Sequence, residues 1–537
     1  MLWKKESTKE SAMYVDFCGI SLKKLRMSDE HLLDDISSTL NKNDSVALQK
    51  RMIGNELFRA ACDAGKLYDA INMYNESLCF AEPKSSHISL AYANRSSCFL
   101  KLKRYNECLI DIDLAIEAGY PENLLQKLEK RKHACLEAIK TGSMVPTAYE
   151  PKLSFEPDET YPYLANAVNF QRGENGKYSV VAKENIDVGQ TIAIEEAFTT
   201  CLHMRYGSKC TICLKNVTTN LIPCKKCTIA MFCSDECQRS SIHEYECGVV
   251  MGELVDNMEN VRSILKAIGM FANVDELMNF VEENKKDNAT EPPANITDAK
   301  LNYREFLRCR FNAEYLPYLL GAMDVYPVYK ILMDIPKVGA MFNTQRKRRF
   351  LMHLIAQHSL IKLYNSQNNA FIDIGTKTVL GDKEVMLDSM TGVIHKYFGH
   401  SCAPNVHLTT VNNKLVYYTL RPIKRGEPLR ISVSQFLLEP KEKRQKILLA
   451  QGKPICKCER CEGPSASKLQ RKQLASDPDY IFISTNMVKA REHLQEINEK
   501  CVSFLTKYGR MTWCSEIGEV VTAYTTTRSL QWSTLQY

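Results

Sequence analysis

The chain has 537 residues, which is too long for one hydrophobic core, so three or four folded units are expected. Hydrophobic residues make up 45% and charged residues 25% of the chain, the composition of a water-soluble globular protein. The net charge of +7 is modest and does not require a nucleic-acid partner. No apolar run reaches eighteen residues, and the N-terminus lacks the apolar core of a signal peptide. A cytosolic or nuclear protein without a membrane partner is predicted, whose twenty-one cysteines stay reduced and available to metal.

A helical pattern begins after a polar N-terminal arm of 47 residues, to which no function is assigned. In this pattern Ala70 and Tyr74 are followed about 38 residues later by Cys108 and Ile112. This spacing is close to the tetratricopeptide period with a lengthened loop, so the segment resembles a short array of two to three helix pairs. A helical hairpin without a repeat is the alternative.

Basic and amide side chains recur along this array at positions that can face one groove. Arg51 and Asn55 lie one helical turn apart, Asn94 takes the equivalent place in the next repeat, and Lys127 and Arg131 form another one-turn pair. Guanidinium and amide donors match the oxygens of a terminal carboxylate and an aspartate side chain. The set resembles the carboxylate clamp of chaperone-binding tetratricopeptide domains, which predicts a heat-shock chaperone tail as partner. Solvated charges on a helix face are the alternative.

Beta signals follow a proline-marked linker. Residues 177–182 and 191–195 are predicted strands joined through a turn at residues 188–190. A cysteine-rich stretch then interrupts the beta pattern, and long helical segments follow it. The clearest later signal is a hairpin with strands at 406–411 and 414–420 around two asparagines, which tolerate the positive φ of a tight turn. Helices are predicted again in the last seventy residues, at about 486–508 and 514–525.

The cysteine-rich stretch holds eight metal-type ligands within thirty-eight residues. They are Cys210, Cys213, Cys224, Cys227, Cys233, Cys237, His243 and Cys247. Thiolate and imidazole in closely spaced pairs suit tetrahedral zinc, and two pairs fill one coordination shell, so two sites are predicted. Spacing alone allows either sequential or interleaved pairing. The alternative is a cluster of buried free cysteines.

A third metal pattern joins two distant segments. Cys456, Cys458 and Cys461 supply three thiolates at CxCxxC spacing, which leaves a closed structural site one ligand short. Cys402, in the GHSCAPN loop at residues 399–405, is the natural fourth ligand. Such a site would pin the loop against the segment near residue 456 and would join two walls of one cleft. A local, incomplete cluster is the alternative, and three zinc ions are predicted in all.

The zinc stretch resembles the MYND zinc finger. The NGKY segment, the GHSCAPN loop, the RGEPL turn at residues 425–429 and the CxCxxC tail are similar in order and spacing to the split SET domain of the SET/MYND protein-lysine methyltransferases. The head points to the subgroup with tetratricopeptide-like repeats, and the match covers roughly residues 48–464. In the family the zinc pairs interleave, which implies Cys210, Cys213, Cys233 and Cys237 on one ion and Cys224, Cys227, His243 and Cys247 on the other.

The resemblance implies an α+β multidomain fold with a split SET β-domain. The predicted units are an N-terminal arm (1–47), tetratricopeptide-like helical repeats (48–140), a linker (141–172), a first SET segment (173–207), an inserted MYND finger (208–250), a helical SET insertion (251–365), a second SET segment (366–437), a post-SET zinc segment (438–464) and a helical C-terminal region (465–537).

The activity that the resemblance implies is methyl transfer from S-adenosylmethionine to a lysine amine of a protein substrate. Such a reaction depends on positioning, on a dry channel and on a neutral amine. The residues assigned to cofactor binding are Gly176, Lys177, Tyr178, Asn369, Gly399 and His400. The first three would form a turn on the cofactor, the asparagine would bind its polar end, and His400 would flank the adenine. An ordinary turn, a loop amide and a packed histidine are the alternatives.

Four positions depart from the family pattern. Gly399 stands where the family has an asparagine, and Val433 stands where it has a tyrosine that lines the lysine channel. Gly452 and Pro454 correspond to a second channel tyrosine and to the aromatic ring that stacks on adenine. A shift of one residue brings Ser434 to the place of Val433 but does not recreate a phenol. Because one lost donor costs about a hundredfold or more in rate, no catalytic residue is assigned.

These departures leave two hypotheses and make enzyme activity uncertain. One is a protein-lysine methyltransferase with an eroded active site, in which Tyr417 or Tyr418 substitutes for a missing tyrosine. The other is an inactive adaptor whose MYND surface binds proline-containing peptides and whose head binds a chaperone tail. A third hypothesis, nucleic-acid binding through the zinc modules or the basic run at 346–349, is disfavoured because such runs are usually solvated helix faces.

Overall fold

The computed structural model describes residues 41–142, 150–174, 176–202, 209–215, 220–248, 258–286, 291–309, 325–371, 385–433, 437–450, 453–490 and 492–532. Within these ranges helices and small antiparallel sheets alternate, as the predicted α+β class requires. None of the helices in the described ranges combines the length and hydropathy of a transmembrane span.

The head is built from consecutive helices that pack against their neighbours in the chain. They are α1 (Asp44–Arg59), α2 (Ala64–Phe80), α3 (Ser86–Lys101), α4 (Tyr105–Glu117) and α5 (Leu125–Lys140). The Asn43 side chain accepts hydrogen bonds from the first turn of α1, and Asp63 does the same for α2, so both helices begin at good N-caps. Helix α1 packs on α2 and α3 packs on α4, so the head consists of paired helices.

The strands form small antiparallel sheets in which distant parts of the chain meet. They are β1 (Val168–Arg172), β2 (Tyr178–Ala182), β3 (Thr191–Glu196), β4 (Thr199–Leu202), β5 (Ile222–Pro223), β6 (Met231–Phe232), β7 (Ser366–Phe371), β8 (Val385–Thr391), β9 (Val406–Val411) and β10 (Lys414–Thr419). Strand β10 lies between β3 and β9, and β8 lies between β4 and β7. Since β3 and β4 precede the finger and their partners follow the helical segments, the sheet region is split as predicted.

Local details of the strands agree with the sequence at most points. The predicted hairpin is β9 and β10, and Asn412 in its turn has a φ of +55°. Strand β1 lies inside the predicted linker and pairs with β2, from Val168 opposite Ala182 to Arg172 opposite Tyr178. The sheet therefore starts earlier than the domain boundary drawn at residue 173.

Helices occupy the finger, the insertion and the C-terminal region. They are α6 (Asp235–Gln238), α7 (Ser241–Glu246), α8 (Met258–Gly269), α9 (Val274–Lys286), α10 (Ala299–Leu307), α11 (Val325–Asp334), α12 (Pro336–Met341), α13 (Gln345–Asn365), α14 (Lys441–Ala450), α15 (Glu459–Glu462), α16 (Lys468–Ala475), α17 (Pro478–Asn486), α18 (Leu494–Tyr508) and α19 (Ser515–Trp532). The basic run at 346–349 lies in the first turns of α13, where Lys347 pairs with Asp275 at 2.8 Å. The basic run is therefore part of a helix.

Helix α8 ties the finger to the split sheet through two buried charged side chains. Arg262 pairs with Glu246 of α7 at 3.0 Å and donates to the carbonyl oxygen of Thr200 on β4 at 3.0 Å. Glu259 accepts hydrogen bonds from side chains on β7 and β8, including Thr391 Oγ1 at 2.6 Å. Because each buried charge is matched by several partners, the finger and both sheet segments are held in one arrangement.

The C-terminal helices cover the outer face of the β9–β10 hairpin. The guanidinium of Arg528 on α19 lies over the rings of Tyr418 and Trp532, with centroid distances of 4.7 and 4.6 Å. It also donates to the carbonyl oxygen of Gly189 at 2.9 Å and to the hydroxyl of Tyr524 at 2.6 Å. The helices predicted near the C-terminus therefore form part of the core around the hairpin.

Candidate metal clusters and cofactor site

The structure gathers the predicted metal ligands into three clusters. The clusters are Cys210, Cys213, Cys233 and Cys237; Cys224, Cys227, His243 and Cys247; and Cys402, Cys456, Cys458 and Cys461. Within each cluster the ligand atoms lie within 4.8 Å of one another. In the finger the residues that meet are those of the interleaved pairing, whereas the sequential pairing does not bring its members together.

The spacing of the finger ligands suits zinc. The Sγ atoms of Cys213 and Cys233 are 3.3 Å apart, and His243 Nε2 lies 3.3 Å from the Sγ of Cys224 and 3.9 Å from that of Cys227. Tetrahedral zinc with sulfur at about 2.3 Å places its ligands about 3.8 Å apart. All-cysteine and Cys3His donor sets are those of structural zinc sites, so both finger clusters can hold an ion.

The third cluster joins the GHSCAPN loop to the CxCxxC segment, as the sequence predicts. The backbone N–H of Cys402 donates to Cys458 Sγ at 3.3 Å, and Arg460 Nη1 donates to the carbonyl oxygen of Cys402 at 3.0 Å. Arg444 Nη2 lies 3.5 Å from Cys461 Sγ. Four thiolates around a dication leave net negative charge, and these donors stabilise it while fixing the orientation of the loop.

The GHSCAPN loop is also bonded along its backbone to the strand-like segment that precedes Val433. The N–H of Ile431 donates to the carbonyl oxygen of Gly399 at 3.1 Å, and Ser401 N–H donates to that of Ile431 at 2.9 Å. On the other side of this segment, Leu429 N–H donates to the carbonyl oxygen of Val180 on β2 at 2.9 Å. The loop and β2 therefore flank one segment, and this places two of the predicted cofactor elements around it.

His400 is held in this arrangement by both ring nitrogens. The N–H of Val433 donates to His400 Nδ1 at 3.2 Å, and His400 Nε2 lies 3.4 Å from Cys402 Sγ. Burial lowers the pKa of His400 to about 4, so the ring is neutral at physiological pH. The histidine connects the third cluster to the position of the missing channel tyrosine, which agrees with both a packed histidine and a wall of the cofactor site.

The remaining cofactor candidates lie on turns and strand ends. Gly176 has a φ of +73° in the turn between β1 and β2, and its carbonyl oxygen accepts from Arg172 Nε at 3.4 Å. Lys177 is exposed and Tyr178 begins β2. Asn369 lies on β7 opposite Asp388, at a register shift. The glycine is needed at its turn because a side chain disfavours that φ.

Three of the four positions that depart from the family, Gly399, Val433 and Pro454, lie among the described residues. Val433 packs against the third metal cluster, and Pro454 is exposed. Gly452 and Ser434 lie outside the described residues. The structure thus gives no phenol at Val433 and no aromatic ring at Pro454.

Neither hairpin tyrosine takes the place of the missing ones. Tyr417 is fully buried, stacks on Phe398 with a centroid distance of 4.5 Å and donates its hydroxyl to Glu195 at 2.7 Å. Tyr418 is fully buried on the opposite face, under Arg528. Since alternate strand residues face opposite sides, both side chains are used in packing. The expectation that one of them substitutes for a channel tyrosine is not supported by these positions.

Three further polar residues were not singled out in the sequence. Glu195 is fully buried, accepts from Val393 N–H at 2.9 Å as well as from Tyr417, and has its pKa raised to about 7 by burial. Burial lowers the pKa of Lys453, which lies between the two missing aromatic positions. Arg430 precedes Ile431. A charged residue inside a beta pattern was the available signal for Glu195 and Arg430.

Comparison with known proteins agrees with this architecture. The family model described as SET domain matches residues 177–432. The protein-lysine N-methyltransferase SMYD4 of Danio rerio is 27% identical over 289 residues, or 46% of this chain and 36% of the relative. The SMYD4 proteins of Gallus gallus and Homo sapiens are 22% and 23% identical, over 72% and 75% of this chain and 68% and 65% of their own lengths. The chain thus spans about a third of the Danio rerio relative that it matches.

The split sheet, the bonded GHSCAPN loop and the family match define a SET-domain protein. Within that class the chain is similar to proteins named protein-lysine N-methyltransferase SMYD4, and its cysteines form three clusters, which together support a SET/MYND-type methyltransferase family member.

Proposed function

We propose that the chain is a protein-lysine N-methyltransferase of the SET/MYND type that uses S-adenosylmethionine and has a weakened active site. The observation that carries the proposal is the loop at residues 399–405, which is bonded to the segment before Val433 and joined to the third metal cluster. A loop held at both its backbone and a thiolate is the rigid support that a cofactor site needs.

The residues present fit the cofactor in part. The turn at Gly176 and the neutral ring of His400 offer backbone and apolar surfaces of the kind that bind an adenosine, and Asn369 lies on β7. When bound, S-adenosylmethionine would supply the methyl group. A neutral His400 does not repel a cationic ligand.

The weakness of the site follows from the residues around this loop. Val433 faces the third cluster and offers no hydroxyl to orient an incoming amine, and exposed Pro454 offers no aromatic ring to stack on an adenine. A protein substrate follows from the relatives' names, and we propose zinc in all three clusters. We expect binding of the cofactor to be weak and turnover to be slow.

Calorimetry on the purified full chain with S-adenosylmethionine tests the proposal first. We expect measurable, weak binding, and the absence of binding at millimolar ligand would remove the enzyme function. The double variant Val433→Tyr with Gly452→Tyr should then raise the rate of methyl transfer to a protein lysine. The matched double phenylalanine variant adds rings without hydroxyls and should not raise it. An unchanged rate in the tyrosine variant counts against the eroded-site account.

A second candidate function is an adaptor that binds protein partners, with or without catalysis. In the head, Asn94 Nδ2 donates to Asn55 Oδ1 at 2.8 Å, and Arg131 Nη1 donates to the carbonyl oxygen of Ala93 at 2.7 Å. Lys127 is exposed one turn before Arg131. These contacts support a groove on which a tetratricopeptide-type carboxylate clamp could form, with Arg51 at its other end, 3.5 Å from His87.

The clamp is tested with a peptide ending in Glu-Glu-Val-Asp, the acidic C-terminal chemistry that such a groove recognises. We expect binding to the full chain and a loss of affinity in Lys127→Ala. Lys132→Ala is the matched control, because this lysine pairs with Asp113 at 3.2 Å on another face of the same helix. Equal affinity in wild type and Lys127→Ala would reject the clamp.

A further inference from the structure

The backbone of Arg430 is fixed against the GHSCAPN loop. Its N–H donates to Asn405 Oδ1 at 2.7 Å, and its carbonyl oxygen accepts from the N–H groups of Asn405 and Val406 at 3.1 and 3.0 Å. Three hydrogen bonds to the backbone of one residue restrict its φ and ψ, so the fold sets the direction in which the Cα–Cβ bond of Arg430 points.

That side chain crosses Gly399. A Cβ atom placed on Gly399 would lie 3.3 Å from Cζ and 3.4 Å from Cδ of Arg430, and it would overlap Nη1. Gly399 has a φ of +56°, in the left-handed region that glycine adopts without steric cost. The guanidinium therefore fills the volume in which an asparagine side chain would begin.

The charge of Arg430 has no counterion among the residues that the structure describes. Arg95, Arg262 and Arg471 each pair with a carboxylate, but the half-buried guanidinium of Arg430 makes no hydrogen bond or ion pair within those ranges. A guanidinium stays charged at all physiological pH values and its planar donors match a carboxylate in pairs. A partly desolvated cation next to Gly399 is suited to an anionic group of a ligand.

We infer that Arg430 replaces the missing asparagine as the polar group of the cofactor site and binds the carboxylate at the amino-acid end of S-adenosylmethionine. The inference rests on the proposed function and adds a residue to it. The opposing account is that the guanidinium occludes the site and repels the sulfonium. The two accounts predict opposite effects of removing Arg430.

Calorimetry with three ligands separates these accounts. S-adenosylmethionine and S-adenosylhomocysteine both carry the carboxylate, whereas adenosine lacks it. We expect Arg430→Ala to weaken binding of the first two by roughly 10- to 100-fold and to leave adenosine unchanged, because a charge-assisted hydrogen bond is lost. Arg430→Lys should recover part of the affinity. Arg425→Ala, at an exposed arginine in the preceding turn, is the control and should bind all three ligands like wild type.

The outcomes that overturn the inference are distinct from those that overturn the function. Unchanged or tighter binding of S-adenosylmethionine in Arg430→Ala, or a parallel loss of adenosine, rejects a carboxylate contact while the proposed function stands. If wild type binds none of the three ligands, both fall. Melting temperature and zinc content verify that the variant is folded, and Arg430→Gln, which keeps the size and removes the charge, replaces the alanine variant if that one does not fold.

Discussion

The guanidinium of Arg95 donates to both carboxylate oxygens of Asp111, at 2.7 and 2.6 Å, and both side chains are fully buried. The same guanidinium donates to the carbonyl oxygen of Leu221 at 2.8 Å, and Asn220 Nδ2 donates to Asp111 at 2.6 Å. Since Arg95 and Asp111 belong to the head and Asn220 and Leu221 to the finger, one buried ion pair joins the two units.

Breaking this pair should destabilise the joint between head and finger. Arg95→Met leaves the Asp111 carboxylate buried without its partner. We expect the free energy of unfolding of the head to fall by about 3–5 kcal/mol. Denaturant unfolding measures the loss, and limited proteolysis between head and finger shows whether they separate. Lys132→Ala breaks the exposed pair with Asp113 and should change stability by less than about 1 kcal/mol. Equal effects of the two substitutions would contradict the role given to Arg95.

The third cluster should lose its ion when the loop ligand is removed. We expect wild type to hold three zinc ions and Cys402→Ser to hold two, because three thiolates make an incomplete structural site. Elemental analysis per chain gives the count. Cys62→Ser changes an exposed cysteine outside the clusters and should retain three ions. Retention of all three in Cys402→Ser, or fewer than three in wild type, would disprove the assignment.

The buried carboxyl of Glu195 should make stability depend on pH. Burial raises its pKa to about 7 from 4.5. Between pH 4.5 and 7 the carboxyl is therefore protonated in the folded state and ionised in the unfolded state. The contribution of this protonation to the free energy of unfolding is therefore complete below pH 4.5 and is lost as the pH rises to about 7.

This dependence is measured as a difference between wild type and Glu195→Gln, which keeps the shape and does not titrate. Between pH 4.5 and 7 we expect the free energy of unfolding of wild type to fall by on the order of 3 kcal/mol relative to that of the variant. Glu196→Gln, at the exposed neighbouring residue, should follow the wild-type curve. Parallel curves for wild type and Glu195→Gln would show that Glu195 does not titrate in this range.

Arg528 should hold the C-terminal helices to the hairpin. Arg528→Ala removes two hydrogen bonds and the cation–π contacts with Tyr418 and Trp532. We expect the free energy of unfolding to fall by about 2–3 kcal/mol. Thermal unfolding of the full chain measures it. Thr522→Ala, at an exposed position of the same helix, should have a small effect. A comparable melting temperature for both variants would mean that apolar packing alone docks the helix.

The local sequence predicted those features whose causes act over a few residues. Closely spaced cysteines form chelating pairs because their backbones are near each other in any fold, and Asn412 marks a hairpin because its own φ is positive. The closely spaced cysteine pairs, the β9–β10 hairpin and the helices of the head were predictable for this reason, whereas Cys402 was predicted because the CxCxxC segment lacked a fourth ligand.

Contacts between distant segments could be decided only by the tertiary structure. Nothing local determines that Arg430 crosses Gly399, that the Arg95 pair reaches Leu221, or that both hairpin tyrosines are covered. The sequence by itself determined which residues can bind metal and form strands, through spacing and periodicity. The tertiary structure decided which of them meet and which are buried, because those outcomes depend on packing between segments far apart in the chain.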